Sequence, residues 1–190
     1  MNVLKNFTEF IKKENLFQPT DKLLLAVSGG VDSVVLCELC KQAGYDFVIA
    51  HCNFQLRGEE SERDEQFVRK LGEKYGVEVR VKQFDTAGYA SANKRNIQVA
   101  ARELRYKWFA EILQDSGNTL RHILTAHHLD DNIETLLMNF FKGTGILGLR
   151  GILPKQGRII RPLLFARKEE ILAFASEQGL AYAADSSNAS

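Results

Sequence analysis

Residues Ser28-Gly29-Gly30-Val31-Asp32-Ser33 combine the groups that hold an anion. Adjacent glycines let backbone N–H groups approach a phosphate with no side chain in the way. Ser28 and Ser33 add hydroxyls at the two ends. The apolar run Leu23 to Val27 leads in, and Val34, Val35, Leu36 and Leu39 lead out with helical spacing. Strand, tight loop and helix start aim N–H groups and a helix dipole at negative charge. The loop is not G-x-x-x-x-G-K-[ST], so it carries no lysine to reach a γ-phosphate. It carries Asp32 instead. A carboxylate inside a phosphate cradle repels its ligand unless a divalent cation bridges the two. The expected ligand is a polyphosphate nucleotide held with Mg²⁺ on Asp32.

A second constellation is His127-His128-Leu129-Asp130-Asp131-Asn132-Ile133-Glu134-Thr135, at the passage from an apolar run into a helix. One of Asp130 and Asp131 is expected to cap that helix. Asp131 and Glu134 are spaced i, i+3 on one face, suited to Mg²⁺ or a substrate ammonium. Arg102 and Arg105 share a face in the most basic stretch, with Lys94, Arg95 and Lys107 around them. His51-Cys52-Asn53 follows the apolar run Phe47 to Ala50, so it ends a strand.

Other patterns carry less. The His-His-x-Asp sequence lacks further ligands at zinc spacing. Cys37 and Cys40 form a C-x-x-C, but among Val34, Val35, Leu36 and Leu39 they read as core thiols. Gly143-Thr144-Gly145-Ile146-Leu147-Gly148 matches G-x-G-x-x-G, yet helical residues precede it where the dinucleotide fingerprint needs a strand. It reads as a glycine-rich loop near the site.

The elements that must position these groups alternate along the chain. Helices are expected over Val3 to Lys13, Asp32 to Gln42, Ser61 to Tyr75, Ala90 to Leu113 and Lys168 to Gln178, with another opening at His127. Strands are expected at Leu23 to Val27, Tyr45 to His51, Val77 to Val81, His122 to Ala126 and Arg158 to Leu164. This alternation predicts a doubly wound, parallel α/β sheet with helices on both faces, with the three motifs along its carboxyl edge. The 190 residues suit a single domain, 1–190. A net charge of +1 gives no global basic field, so any nucleic-acid contact must use a local patch. With three cysteines, no signal-peptide layout and no apolar run of membrane-spanning length, the expectation is a cytoplasmic protein with free thiols and no membrane partner.

S-G-G-V-D-S resembles the PP-loop of the N-type ATP pyrophosphatases, which cleave ATP between its α- and β-phosphates. That resemblance implies an adenine-nucleotide alpha-hydrolase-like fold, with ATP held by Ser28, Gly29, Gly30, Val31, Asp32 and Ser33, and by His51 and Asn53. Further segments resemble the tRNA(Ile)-lysidine synthetase family in order. They are His51-Cys52-Asn53 with Leu56-Arg57, Ala101 to Tyr106, His127 to Thr135, Gly143-Thr144-Gly145 with Gly148-Leu149, Arg161-Pro162-Leu163-Leu164 and Asp185-Ser186-Ser187-Asn188. Phe54-Gln55 departs from the family's His-Gly.

The resemblance implies adenylation by ATP of the C2 oxygen of the wobble cytidine in a CAU-anticodon tRNA(Ile). The ε-amine of free L-lysine then displaces AMP to give lysidine. It implies catalytic roles for Asp32, Asp130, Asp131, Glu134 and Arg102. Lysine or cytidine would be held by Arg102, Arg105, Asp131 and Glu134. The family usually continues into C-terminal tRNA-binding domains, so the chain reads as a catalytic-domain fragment. A PP-loop tRNA thiolase, a non-catalytic nucleotide-binding module and a Rossmann oxidoreductase are the alternatives.

Overall fold

The computed structural model describes residues 2–117, 119–143 and 151–183. The chain begins with helix α1, Val3–Lys13, capped by Asn2, whose Oδ1 accepts from the Lys5 N–H at 2.9 Å. Then come β1 (Lys22–Ala26), α2 (Val31–Gln42), β2 (Phe47–Asn53), α3 (Glu59–Tyr75) and β3 (Val79–Gln83). Helices α4 (Thr86–Ala92) and α5 (Ile97–Asp115) lead to β4 (Leu120–Leu124) and α6 (Leu129–Phe141). Strands β5 (Lys155–Gln156) and β6 (Ile159–Ile160) precede α7, Lys168–Glu177.

Among the described residues six strands form one sheet, in the order β3-β2-β1-β4-β6-β5. Strand β1 pairs in parallel with β2, Leu23 opposite Phe47, and with β4, Leu23 opposite His122. Period-two alternation then sorts the side chains. Leu23, Leu25, Phe47 and Ile49 face α1, α2, α3 and α7. Leu24, Val48 and Ala50 face Trp108, Phe109 and Ile112 of α5. Both faces are covered, so the central strands are continuously apolar rather than alternating.

The sheet is parallel, as expected, except at one edge. Strand β5 runs antiparallel to β6, with Gln156 opposite Ile159. Gly157 supplies the positive φ, +60°, that a two-residue hairpin turn needs. The expected strand Arg158 to Leu164 is accordingly short. Pro162 cannot donate to a ladder, and only an isolated bridge, Leu163 to His128, continues the pairing. Strands β2, β3 and β4 also lie about two residues from their expected spans. β2 runs on to Asn53 because β3 pairs with it as far as Gln83.

The long helix expected over 90–113 is broken. Asn93 ends α4, Lys94 takes φ +52°, and Asn96 caps α5 by accepting from the Val99 N–H at 2.8 Å. Short polar side chains at both ends satisfy backbone groups that a continuous helix would have used itself. Helix α6 buries none of its side chains and leaves Leu137, Met138, Phe140 and Phe141 exposed. Of the glycine-rich loop after it, Gly143 closes the helix at φ +66°, and residues 144–148 lie outside the described residues, as do Leu149 and 185–188.

Replacing Asn96 by alanine removes the cap of α5 and is expected to cost about 1 kcal/mol of stability. Urea denaturation of the two proteins measures it, and an unshifted midpoint would mean the bond contributes nothing.

Candidate active site

β1 runs straight into the anion loop, with the Val27 N–H still bonded to Ala50 O at 2.9 Å. Gly29 turns the chain at φ +100°, where a Cβ-bearing residue is strained. Ser33, expected to offer its hydroxyl to a ligand, organises the loop. Its Oγ donates to Gly30 O at 2.8 Å and accepts from the Gly29 N–H at 3.2 Å. Ser28 Oγ accepts from the Gly30 N–H at 3.3 Å. Gly30 is the N-cap of α2 and has no side chain to occupy the helix's first N–H groups, which suits an anion. Val31 turns its side chain into the core. From the far end of the chain, the Ala183 N–H donates to Gly29 O at 2.9 Å.

Asp32 lies in the first turn of α2, its side chain 29 % exposed. Its Oδ1 is 2.5 Å from Lys168 Nζ, at the start of α7, and 4.0 Å from His128 Nε2. No sequence spacing connects Asp32 with Lys168, which is 136 residues away. Among the described residues no group of three or more His, Cys, Asp or Glu side chains forms a metal cage. One accessible carboxylate is nevertheless the donor set of a Mg²⁺ that takes its remaining ligands from phosphate and water. Asp32 fits that use.

At the end of β2, His51 is buried and its Nδ1 donates to Val27 O at 2.8 Å. Burial lowers its pKa below the ordinary histidine value. Asn53 is also buried. Its Nδ2 donates to Glu65 Oε2 at 3.0 Å, and its Oδ1 accepts from the Gln55 N–H. Glu65 of α3, absent from the sequence reading, thus orients Asn53. Burial pushes the Glu65 carboxyl up, but donors from Gln83, Asn53 and Arg69 outweigh it and hold it down at about 2. Phe54 stacks on Phe84 at 5.7 Å and carries the Arg105 guanidinium 5.3 Å above its ring.

At the third motif the expected aspartate cap is corrected. His128 is the N-cap of α6, and Asp131 closes a capping box by accepting from the His128 N–H at 2.8 Å. The imidazole supplies the acceptor because the side chain is held back over the helix start. Asp130 turns away to α7, where its Oδ2 accepts from the Lys168 N–H at 2.6 Å. His127 Nδ1 is bonded to Thr125 Oγ1 at 2.9 Å. Burial lowers the His127 pKa, Asp131 opposes that, and Arg161, Arg105 and Arg102 add to it.

Three adjoining cavities lie along this edge. One of about 320 Å³ runs between the ends of β1 and β4, from Ser28 and Asp32 past Arg105 to Thr125, His127 and Asp131. A second, about 250 Å³, shares Ser28 and Arg105 and reaches His51, Asn53 and Asp64. A third, about 340 Å³, shares His127 and Asp131 with the first and is walled by Arg102, Glu134 and Arg161. Arg102 and Arg105, one helical turn apart, therefore serve different cavities. Acidic and guanidinium groups face each other across the third, the pattern that fits a zwitterion.

Arg161 has no role in the sequence reading beyond its motif. It is 5 % exposed, donates to Leu153 O at 2.8 Å and Gln156 Oε1 at 3.4 Å, and its Nε is unpartnered among the described residues. Burial lowers its pKa, against Tyr106 and with Arg102. A buried guanidinium bonded only to neutral groups favours an incoming anion. Cys37 and Cys40 are buried in α2, and burial pushes both thiols up.

Because His51 is held neutral in the fold, its contribution to stability is complete above about pH 6.5. It is lost as pH falls from there through the lowered folded value. His51→Gln is expected to shrink the drop in urea midpoint between about pH 7.5 and 5.5. An unchanged drop in the folded variant would place the acid sensitivity elsewhere.

Comparison with known proteins follows the same lines. The PP-loop domain family matches residues 1–190. Over 179 residues the chain is 50 % identical to a protein named tRNA(Ile)-lysidine synthase from Bacteroides thetaiotaomicron, covering 94 % of this chain and 42 % of that one. A protein of the same name from Chlorobaculum tepidum is 43 % identical over 188 residues, 97 % of this chain and 56 % of that one. The chain thus spans roughly half or less of these relatives. Among solved structures, the U34-tRNA thiolase NcsA from Methanococcus maripaludis with its [4Fe-4S] cluster superposes with a TM-score of 0.74 at 19 % identity, covering 94 % of this chain and 64 % of that one. The NH3-dependent NAD synthetase from Campylobacter jejuni gives 0.59 at 18 %, covering 93 % and 71 %. These two share the fold. With the profile matching the whole length and the Ser28–Ser33 loop joining strand to helix, the chain belongs to the PP-loop family of ATP-binding domains.

Proposed function

We propose that the chain is the single catalytic domain of a cytoplasmic tRNA(Ile)-lysidine synthetase. ATP adenylates C2 of the wobble cytidine in a CAU-anticodon tRNA(Ile), the C2 oxygen attacking the α-phosphorus while pyrophosphate departs. The ε-amine of free L-lysine then attacks C2, and AMP leaves. The observation that carries this reading is the junction of the loop-side cavity with the acid–guanidinium cavity through His127 and Asp131. A nucleotide and an amino acid can meet there on opposite sides of one base.

The N–H groups at the start of α2, which no capping side chain occupies, would hold the departing pyrophosphate. Mg²⁺ would be held by Asp32 and would draw charge off the phosphates. Asp131 and Glu134 take the lysine ammonium groups, and Arg102 with Arg161 takes its carboxylate. Arg105 keeps the nucleotide side. His127, neutral by burial, accepts the proton that the ammonium must lose before it attacks. Asp130 acts through Lys168, whose N–H it holds. Thiolation has less support, because the C-x-x-C thiols are buried in α2. A dinucleotide site at Gly143 lacks its leading strand, since α6 precedes it.

The deciding experiment follows pyrophosphate and AMP release from ATP–Mg²⁺ with unmodified CAU-anticodon tRNA(Ile), with and without lysine. Pyrophosphate release that needs the tRNA, with AMP release and lysine incorporation that need lysine, is expected. Release independent of that tRNA would sink the proposal and leave nucleotide binding alone. In the same assay Glu134→Gln should raise the lysine KM about ten- to a hundredfold and spare tRNA-dependent pyrophosphate release. An unchanged lysine KM would take Glu134 out of the lysine site.

A further inference from the structure

Lys168 completes the PP-loop electrostatically from the other end of the chain. Its Nζ is 2.5 Å from Asp32 Oδ1, and its own N–H donates to Asp130 Oδ2 at 2.6 Å. Asp130 therefore fixes where the lysine side chain starts, and Asp32 fixes where it ends. The other titratable group at Asp32 is His128, 4.0 Å away. The pair is open to solvent, with Lys168 38 % and Asp32 29 % exposed, so either partner can be exchanged.

We propose that Lys168 is a positioning residue of the PP-loop that changes partners on nucleotide binding. Without nucleotide its ammonium neutralises Asp32, which otherwise stands as a repulsive charge beside the anion-binding start of α2. When ATP arrives with a divalent cation, the cation takes the carboxylate and Lys168 turns to the polyphosphate. The loop has no lysine of its own, and this one is delivered by the fold. Ammonium and metal compete for one carboxylate, so their effects on ATP affinity are coupled rather than additive.

The proposal rests on ATP binding by the loop and not on the tRNA reaction. The test is calorimetric titration of the full chain with ATP, in Mg²⁺ and in EDTA, for wild type, Lys168→Met, Lys168→Arg, Asp32→Asn and the double variant Asp32→Asn/Lys168→Met. Lys168→Met should weaken ATP binding about ten- to a hundredfold in both conditions, and Lys168→Arg should recover most of it. Asp32→Asn should strengthen binding in EDTA, because the repulsion is gone and Lys168 is released. The double variant should lose that gain. Additive effects, wild-type affinity in Lys168→Met, or a wild-type chain that does not bind ATP would each overturn the exchange. Coupled binding in a protein that releases no pyrophosphate with tRNA would refute the lysidine reading and leave this one standing.

Discussion

Strand β1 is paired in parallel on both edges, and that arrangement decides where chemistry can happen. Parallel neighbours end on the same side of a sheet, so the segments after β1, β2 and β4 converge although long helices separate them in sequence. The order also reverses at β1. The chain leaves toward β2 and β3, then returns through α5 to β4 on the other side. A crevice opens between the two exits, walled by Val27 and Ser28 on one side and Thr125 and His127 on the other. Helices packed on the apolar strand residues of both faces anchor this edge, and the loop leaves it through a turn at Gly29.

The site is held by polar groups that first satisfy one another. Ser33 ties the loop to itself, Glu65 fixes Asn53, His128 and Asp131 cap each other, and Asp130 holds the start of α7. Such bonds lower the reorganisation needed when charge develops. Asp32 is matched by Lys168, whereas Arg161, buried and bonded only to neutral groups, favours an anion from outside. With a net charge of +1 over the chain, local pairing rather than an overall field governs what binds.

The α/β alternation, the apolar central strands, the buried thiols and the strand–loop–helix junction at Ser28–Ser33 were all legible in the residue pattern. Each depends on periodicity or on backbone chemistry within about ten residues, where sequence distance and spatial distance agree. The break between α4 and α5 was legible in principle, through Asn93 and Asn96, but helical periodicity on both sides concealed it. Strand β5, two residues long, is too short for any pattern, whereas β6 lies within the strand expected over Arg158 to Leu164. The cap of α6 was misassigned because histidine is an uncommon N-cap, whereas aspartate is a favoured one.

The sequence by itself determined that a serine- and glycine-rich loop with an acid in it sits between a buried strand and a helix. It also determined that acidic and basic motifs follow in an α/β chain. That information is carried by local bonding and burial. Only the tertiary structure decided which charges meet. It separated Arg102 from Arg105, turned Asp130 toward α7, and brought Arg161 into the acidic cavity and Lys168 onto Asp32. The reason is that a charge pair is set by distance in space. Across 136 residues that distance is fixed by the pairing of strands and the packing of helices, not by spacing along the chain.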